Sequence, residues 1–307
     1  MSIADAVESL IERQLHEWDT AQRNYAALEN VRVKWVDVDG ERYKVQFNPA
    51  RIVSSGAKVD VATLKARRCF LCPQNRPTEQ EAISFNGHYD ILVNPFPIFP
   101  RHLTIVDCDH KPQSITDRFN DMLSLAKELP AYTVFYNGPR CGASAPDHAH
   151  FQAGSRGFMP IEESWKKMKS EIICTEGETS LLLLNDLRTP FVIESGNRDA
   201  VTALFNRVIS SLPMAEEDYE PMLNLLCNYT DEHWTLFIFP RAKHRPSCYY
   251  AEGDANLLCS PASVDMGGAF IIPLEKDYNK IAPHDIRRML SEICMSVDDL
   301  VLKRDSH

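Results

Sequence analysis

The 307-residue chain has no apolar run near the roughly 20 residues that span a bilayer, so a membrane-embedded protein is excluded as a reading. It also lacks positive charge: the formal net charge is -10 and the pI about 5.5, which removes the basic field that holds a nucleic-acid polymer. Its first residues do not read as a secretory signal, because Asp5, Glu8, Glu12 and Arg13 break the apolar stretch into an amphipathic helix; a cytoplasmic protein is expected. Nine cysteines is an odd number and suits free thiols with a metal site better than a disulfide framework. There is one Cys-x-x-Cys and no second, and the C-terminal half contains no His-x-His. What remains is an ordinary globular composition, 44% apolar and 25% charged, enough for one large core or two domains.

The most informative stretch runs from Asn137 to Gln152, Asn-Gly-Pro-Arg-Cys-Gly-Ala-Ser-Ala-Pro-Asp-His-Ala-His-Phe-Gln. A glycine-bearing loop leads into His148, His150 and Gln152 at alternate positions, and an extended strand would turn all three to one face, roughly 7 Å apart in succession. Loop amides near Asn137, Gly142, Ala143 and Ser144 can turn toward the same phosphate. A neutral imidazole with a reference pKa of about 6.5 can attack phosphorus, and an amide donor can steady the charge that develops.

Around this stretch the periodicity gives a helix over Ile3 to Leu28 and a hairpin from Val31 to Phe47 turning at Asp39-Gly40. A polar segment beginning at Asn48 carries Arg51, a candidate phosphate contact. Cys69-Phe-Leu-Cys72 admits a zinc knuckle, a redox pair or accident. Strands are expected between Tyr89 and Asp107, a helix over Ser114 to Leu129 capped near Thr116-Asp117, and a strand over Tyr132 to Tyr136. The second half reads as strands near 180–184, 191–194, 222–229 and 233–239, with helices near 199–212 and 284–302. Ile98-Phe-Pro-Arg101 recurs as Ile238-Phe-Pro-Arg241, too short a repeat to establish duplication. The densest basic cluster, Arg241-Ala-Lys243-His-Arg245, is a candidate anion site.

In order and combination, Cys69-x-x-Cys72-Pro, Asp109-His110, the loop from Asn137 to Ser144 and His148-x-His150-x-Gln152 resemble the transferase and phosphorylase branch of the histidine triad superfamily. That branch includes galactose-1-phosphate uridylyltransferase, diadenosine tetraphosphate phosphorylase and GDP-L-galactose phosphorylase. The resemblance implies an α+β fold of two related antiparallel sheets with packed helices, an N-terminal half over residues 1–160 and a C-terminal half over 161–307. It implies that His150 is the nucleophile, with Gln152 and Ser144 beside it, and that Asn94, Phe96 and Ile98 line the nucleotide cleft. It also implies a structural zinc on Cys69, Cys72, His110 and His148, with His102 the substitute ligand if His110 does not serve; a magnesium requirement stays open. The implied activity is a nucleotidyltransferase or phosphorylase acting on a UDP- or GDP-hexose through a nucleotidyl-histidine, with phosphate or a hexose 1-phosphate as acceptor. A dinucleoside polyphosphate phosphorylase is the alternative within the class, and a non-catalytic, zinc-stabilised nucleotide-binding protein the alternative outside it. Relatives are commonly homodimers, so a second copy of the chain is a candidate partner; no nucleic acid and no membrane is expected.

Overall fold

A computed structural model describes residues 2–52 and 61–300. The end of the polar segment after Asn48 (Val53 to Ser55) and the last expected residues of the final helix (Val301 and Leu302) lie outside them. No helix among the described residues is long and apolar enough to cross a membrane.

Ten strands form one antiparallel sheet. The first five are β3 (Ala82–Phe85), β4 (Tyr89–Val93), β5 (His102–Asp107), β6 (Tyr132–Asn137) and β7 (His150–Ser155). The second five are β8 (Ser170–Glu176), β9 (Thr179–Leu184), β10 (Phe191–Ser195), β11 (Leu223–Thr230) and β12 (His233–Pro240). Their spatial order, β3-β4-β5-β7-β6-β11-β12-β10-β9-β8, reads the same from either end once the halves are matched strand for strand. Each half inserts one helix at the same point, Phe119–Glu128 in the first and Arg198–Ser211 in the second. The halves meet where β6 pairs with β11, Val134 opposite Cys227. Thus the α+β architecture of two related antiparallel sheets is present, with the two joined edge to edge. The literal Ile-Phe-Pro-Arg repeat is not part of this symmetry: one copy precedes β5 and the other ends β12 and continues to Arg241.

Strand alternation sends side chains to two cores. On one face Leu225, Cys227, Leu236 and Ile238 pack with α1 (Ile3–Glu17), α2 (Asp19–Ala26) and the two inserted helices. There Phe119 and Phe205, one from each inserted helix, stack with centroids 3.7 Å apart. On the other face Leu226, Phe237 and Phe239 pack against a small sheet of β1 (Arg32–Val38), β2 (Glu41–Phe47) and β13 (Ala269–Ile272). The hairpin turns at Asp39 and Gly40 as anticipated, with both residues at positive φ, but it packs on the second half, so a boundary near residue 160 does not divide the cores.

Three expected elements differ in extent. The first helix breaks at Trp18, whose extended backbone and buried ring separate α1 from α2. The helix before β6 starts at Phe119 without the Thr116-Asp117 cap, because Ile115 is held by the Glu220 carboxylate and Arg118 closes a turn onto the Ile115 carbonyl. The last helix, Pro283–Ile293, stops where Cys294 pairs with Arg241 and the Ile293 carbonyl accepts from Arg241 and Ala242.

Candidate active site

The first half's second face is open, and segments of the second half roof it into a cavity of about 680 Å³. His150, the first residue of β7, stands in its wall, and its backbone is clamped from both sides. Gln113 accepts the His150 N–H (2.8 Å) and donates to the His150 and Asn137 carbonyls (3.0 and 2.9 Å). The ring Nδ1 lies 2.8 Å from the His148 carbonyl oxygen, an acceptor only, so Nδ1 carries the proton and Nε2 keeps a lone pair. Burial pushes the pKa of His150 down to about 4, which keeps the imidazole neutral.

Gln152 is oriented by a chain of donors. The Ile98 N–H donates to His102 Nδ1 (3.1 Å), so the His102 proton sits on Nε2 and is given to Gln152 Oε1 (3.0 Å). The amide NH2 of Gln152 is therefore left for the cavity. Burial, with the Arg51 charge adding to it, drives the pKa of His102 to about 3 and keeps the ring neutral. His102 is thus no metal ligand; it positions Gln152.

The expected row of three side chains on one face is corrected to two. β7 begins at His150, and His148 lies in the bend before it, its N–H bonded to the Ala145 carbonyl. His148 Nε2 donates to the Asp107 carbonyl (2.8 Å), which frees Nδ1 to face Cys69 Sγ (3.3 Å) and Cys72 Sγ (3.5 Å). His110 Nδ1 approaches Cys72 Sγ at 3.2 Å, and the four ligand atoms lie within 4.8 Å of one another. Two thiols and two imidazoles at these separations match a tetrahedral zinc with bonds of about 2.0–2.3 Å, and the Asp107 carbonyl supplies the outer hydrogen bond typical of a ligating histidine.

The loop before His148 is shaped by the second half. Gly142 sits at φ +97°, and a Cβ there would lie 2.5 Å from the Ala262 Cβ, so only glycine fits. The N–H groups of Gly142, Ala143 and Ser144 have no hydrogen-bond partner among the described residues, and all three residues line the cavity. Asn137 Oδ1 accepts from Asn224 Nδ2 (3.0 Å), the Ser263 N–H (2.8 Å) and Ser263 Oγ (2.7 Å), leaving its NH2 as the donor on the cavity side.

Of the other expected residues, Asn94 and Phe96 line the cavity. Asn94 spans Thr104 Oγ1 (3.0 Å) and the Phe96 N–H (2.9 Å), holding the turn that presents the phenyl ring. Arg51 also lines it while donating to the Phe96 carbonyl (2.6 Å). From the basic cluster only Arg245 reaches the cavity, together with His244, which sequence reasoning did not single out. Arg241 is buried and gives its donors to the carbonyls of Ile293, Pro261, Lys243 and His244 and to Asn224, so it is scaffold and has nothing left for a phosphate. Lys243 points to solvent beside Glu292. Asp265 was also missed. It faces the cavity and accepts the Ala262 and Ile271 N–H groups, and burial raises its pKa to about 6. Arg67, bonded to Asp147 (2.6 Å), is a third omission, with Nη1 unpartnered among the described residues. Lone polar residues between elements give no periodic signal, which is why Gln113, Arg67 and Asp265 escaped notice.

Residues 10–155 match the family described as a domain of unknown function, DUF4922, and residues 166–300 match the GDPGP1-like C-terminal domain. These matches are in keeping with the resemblance to the uridylyltransferase and dinucleotide phosphorylase branch of the histidine triad superfamily. It is 28% identical over 138 residues to diadenosine 5',5'''-P1,P4-tetraphosphate phosphorylase 2 of Saccharomyces cerevisiae, a match covering 40% of this chain and 42% of that relative. The crystal structure of yeast Ap4A phosphorylase Apa2 superposes with a TM-score of 0.62 at 18% identity, covering 92% of this chain and 97% of the other. The same enzyme in complex with Ap4A gives 0.59, again at 18% identity and with the same coverage. Both likenesses establish a shared fold.

Proposed function

We propose that the protein is a nucleotide phosphorylase or nucleotidyltransferase that works through a covalent nucleotidyl-His150 intermediate on a nucleotide sugar, with phosphate or a hexose 1-phosphate as acceptor. The observation that carries this reading is the His150 ring: neutral, its Nδ1 proton held by the His148 carbonyl, its Nε2 lone pair on a cavity wall. Nε2 attacks the α-phosphorus, a P–N bond forms, and the bond to the bridging oxygen breaks to release the sugar phosphate as an anion. An oxygen of the incoming phosphate then attacks the same phosphorus from the vacated side and the P–N bond breaks, returning neutral His150. The Gln152 NH2, the Asn137 NH2 and the amides of Gly142 to Ser144 donate to the non-bridging oxygens as charge builds, each donor worth about 3 kcal/mol of barrier.

A zinc on Cys69, Cys72, His110 and His148 fits this arrangement as a structural ion, because four protein ligands leave no open coordination position. It would fix the bend whose carbonyl sets the His150 tautomer. The similarity to yeast diadenosine tetraphosphate phosphorylase 2 favours a second reading in which a dinucleoside polyphosphate is the donor. The test is intact-protein mass spectrometry after incubation with GDP-glucose, UDP-glucose, ADP-glucose and diadenosine tetraphosphate, with and without phosphate. A nucleotide-mass adduct that phosphate discharges and that is missing in His150→Ala supports the enzyme and identifies its donor. No adduct and no turnover with any of the four would leave a nucleotide-binding protein.

A further inference from the structure

His150 opens β7, and His233 opens β12, the strand that matches β7 across the pseudo-twofold. In the first half Gln152 pairs with Thr104 on one side and Phe135 on the other. In the second, Thr235 pairs with Glu194 and Asn228. Two residues before Gln152 stands His150, and two before Thr235 stands His233. The local geometry is the same as well: His233 Nδ1 lies 2.8 Å from the carbonyl oxygen of Asp231, two residues earlier, as His150 Nδ1 lies 2.8 Å from that of His148. His233 likewise lines a cavity, about 540 Å³ and separate from the first.

We propose that this second cavity binds an uncharged, hydroxyl-rich small molecule of the sugar or nucleoside class, and that it excludes phosphate. The proposal stands independently of the activity proposed for His150. Asn228 is only 8% exposed, lines the cavity, and its side-chain amide has no hydrogen-bond partner among the described residues. The Thr235 hydroxyl beside it has none either. The amide and the hydroxyl face the cavity together and suit a ligand that both donates and accepts, as vicinal hydroxyls do. Trp165 adds an apolar wall.

Phosphate is disfavoured for two reasons. The connection of residues 138–149, which carries the unpartnered amides in the first half, is replaced here by the two-residue turn Asp231-Glu232, both at positive φ. Five acidic residues, Glu162, Glu163, Glu178, Glu194 and Asp231, also line the walls and outnumber Arg156 and Lys166, of which Lys166 is already paired with Glu194, so the lining repels an anion. The Asp231 carbonyl bond and the nearby Glu178 raise the pKa of His233, so the ring serves as a donor rather than a nucleophile.

The experiment is ligand-observed NMR on the full chain with glucose, galactose, mannose, adenosine, guanosine and uridine, repeated in His150→Ala, Thr235→Val and Asn228→Ala and in the presence of inorganic phosphate. At least one sugar or nucleoside should bind, keep its affinity in His150→Ala and with phosphate present, and weaken about tenfold in Thr235→Val and Asn228→Ala. Which of the six binds separates a sugar site from a nucleoside site. Thr235→Val, a near-isosteric change at a half-buried position, keeps the test valid if Asn228→Ala fails to fold. No binding of any of the six at about 10 mM overturns the proposal, as does binding that survives Thr235→Val or is displaced by phosphate.

Discussion

His150 and His233 begin corresponding strands, hold their rings by the same hydrogen bond and face separate cavities, yet only the first is surrounded by what phosphorus chemistry needs. Around His150 are an amide-bearing loop, a glutamine locked by a buried histidine, and a thiol-imidazole cluster under the preceding bend. Around His233 the loop is a tight turn, the glutamine is Thr235, and the residue matching His148 is Asp231. The strand and its histidine are therefore the shared scaffold, and the inserted loop with the cysteine knuckle makes the difference. Burial adds to the contrast, since His150 is kept neutral inside the fold while His233, near the surface, is pushed toward its protonated form.

The largest effect separating the two sites is expected from His150→Ala, which should lower turnover on the order of 10⁴-fold or more and abolish the nucleotide adduct. Peptide mapping of the variant after incubation with donor is the check, because label appearing on His233 would break the contrast. Next comes the metal. Chelation of the proposed zinc, or Cys72→Ser, should lower the thermal midpoint by roughly 10 °C, read by calorimetry. Hydrogen exchange should then rise around residues 69–72, 107–110 and 148–152 and stay low in β10 to β12; uniform loosening of both halves would show that the cluster supports the whole sheet.

A smaller effect tests how Gln152 is held. His102→Ala removes the donor that fixes its amide, so kcat should fall about 100-fold with little change in KM. In a Gln152→Ala background the same substitution should cost almost nothing further. If the two losses multiply, His102 acts by another route than orienting Gln152.

Much of this was legible in the sequence because the residues concerned are dense and close together. Cys69-x-x-Cys72 and His148-x-His150-x-Gln152 announce donor sets of a type and spacing that few other structures need, and the hairpin at Asp39-Gly40 follows from alternation and turn chemistry. The duplication was expected through the family resemblance but was not legible as an internal repeat, because sheet symmetry is written in pairing order and side-chain type is free to drift; the one literal repeat, Ile-Phe-Pro-Arg, falls at unrelated positions. Arg241 misled for a related reason. A basic cluster signals charge but not direction, and the guanidinium turned inward to collect carbonyls at the end of β12. Gln113 and Asp265 gave no warning, since single polar residues declare themselves only through what they touch.

The smallest expected effect concerns the seam between the halves. Glu220, just before β11, reaches into the first half, accepting the Ile115 N–H (2.7 Å) and the Tyr136 hydroxyl (2.7 Å). It is 4% exposed, and burial outweighs those hydrogen bonds and pushes its pKa up to about 7 from the usual 4.5. Between those values the folded chain holds a proton that the unfolded chain has released, so this group makes stability fall as pH rises from 4.5 to about 7 and level off above. Glu220→Gln cannot ionise, and denaturant midpoints at pH 5 and pH 8 should differ less in the variant than in the parent, by about 2 kcal/mol of unfolding free energy. An unchanged difference would mean that the carboxylate is already ionised in the fold at pH 5, sustained by Ile115 and Tyr136, and that the seam is held by a charge rather than by a protonated acid.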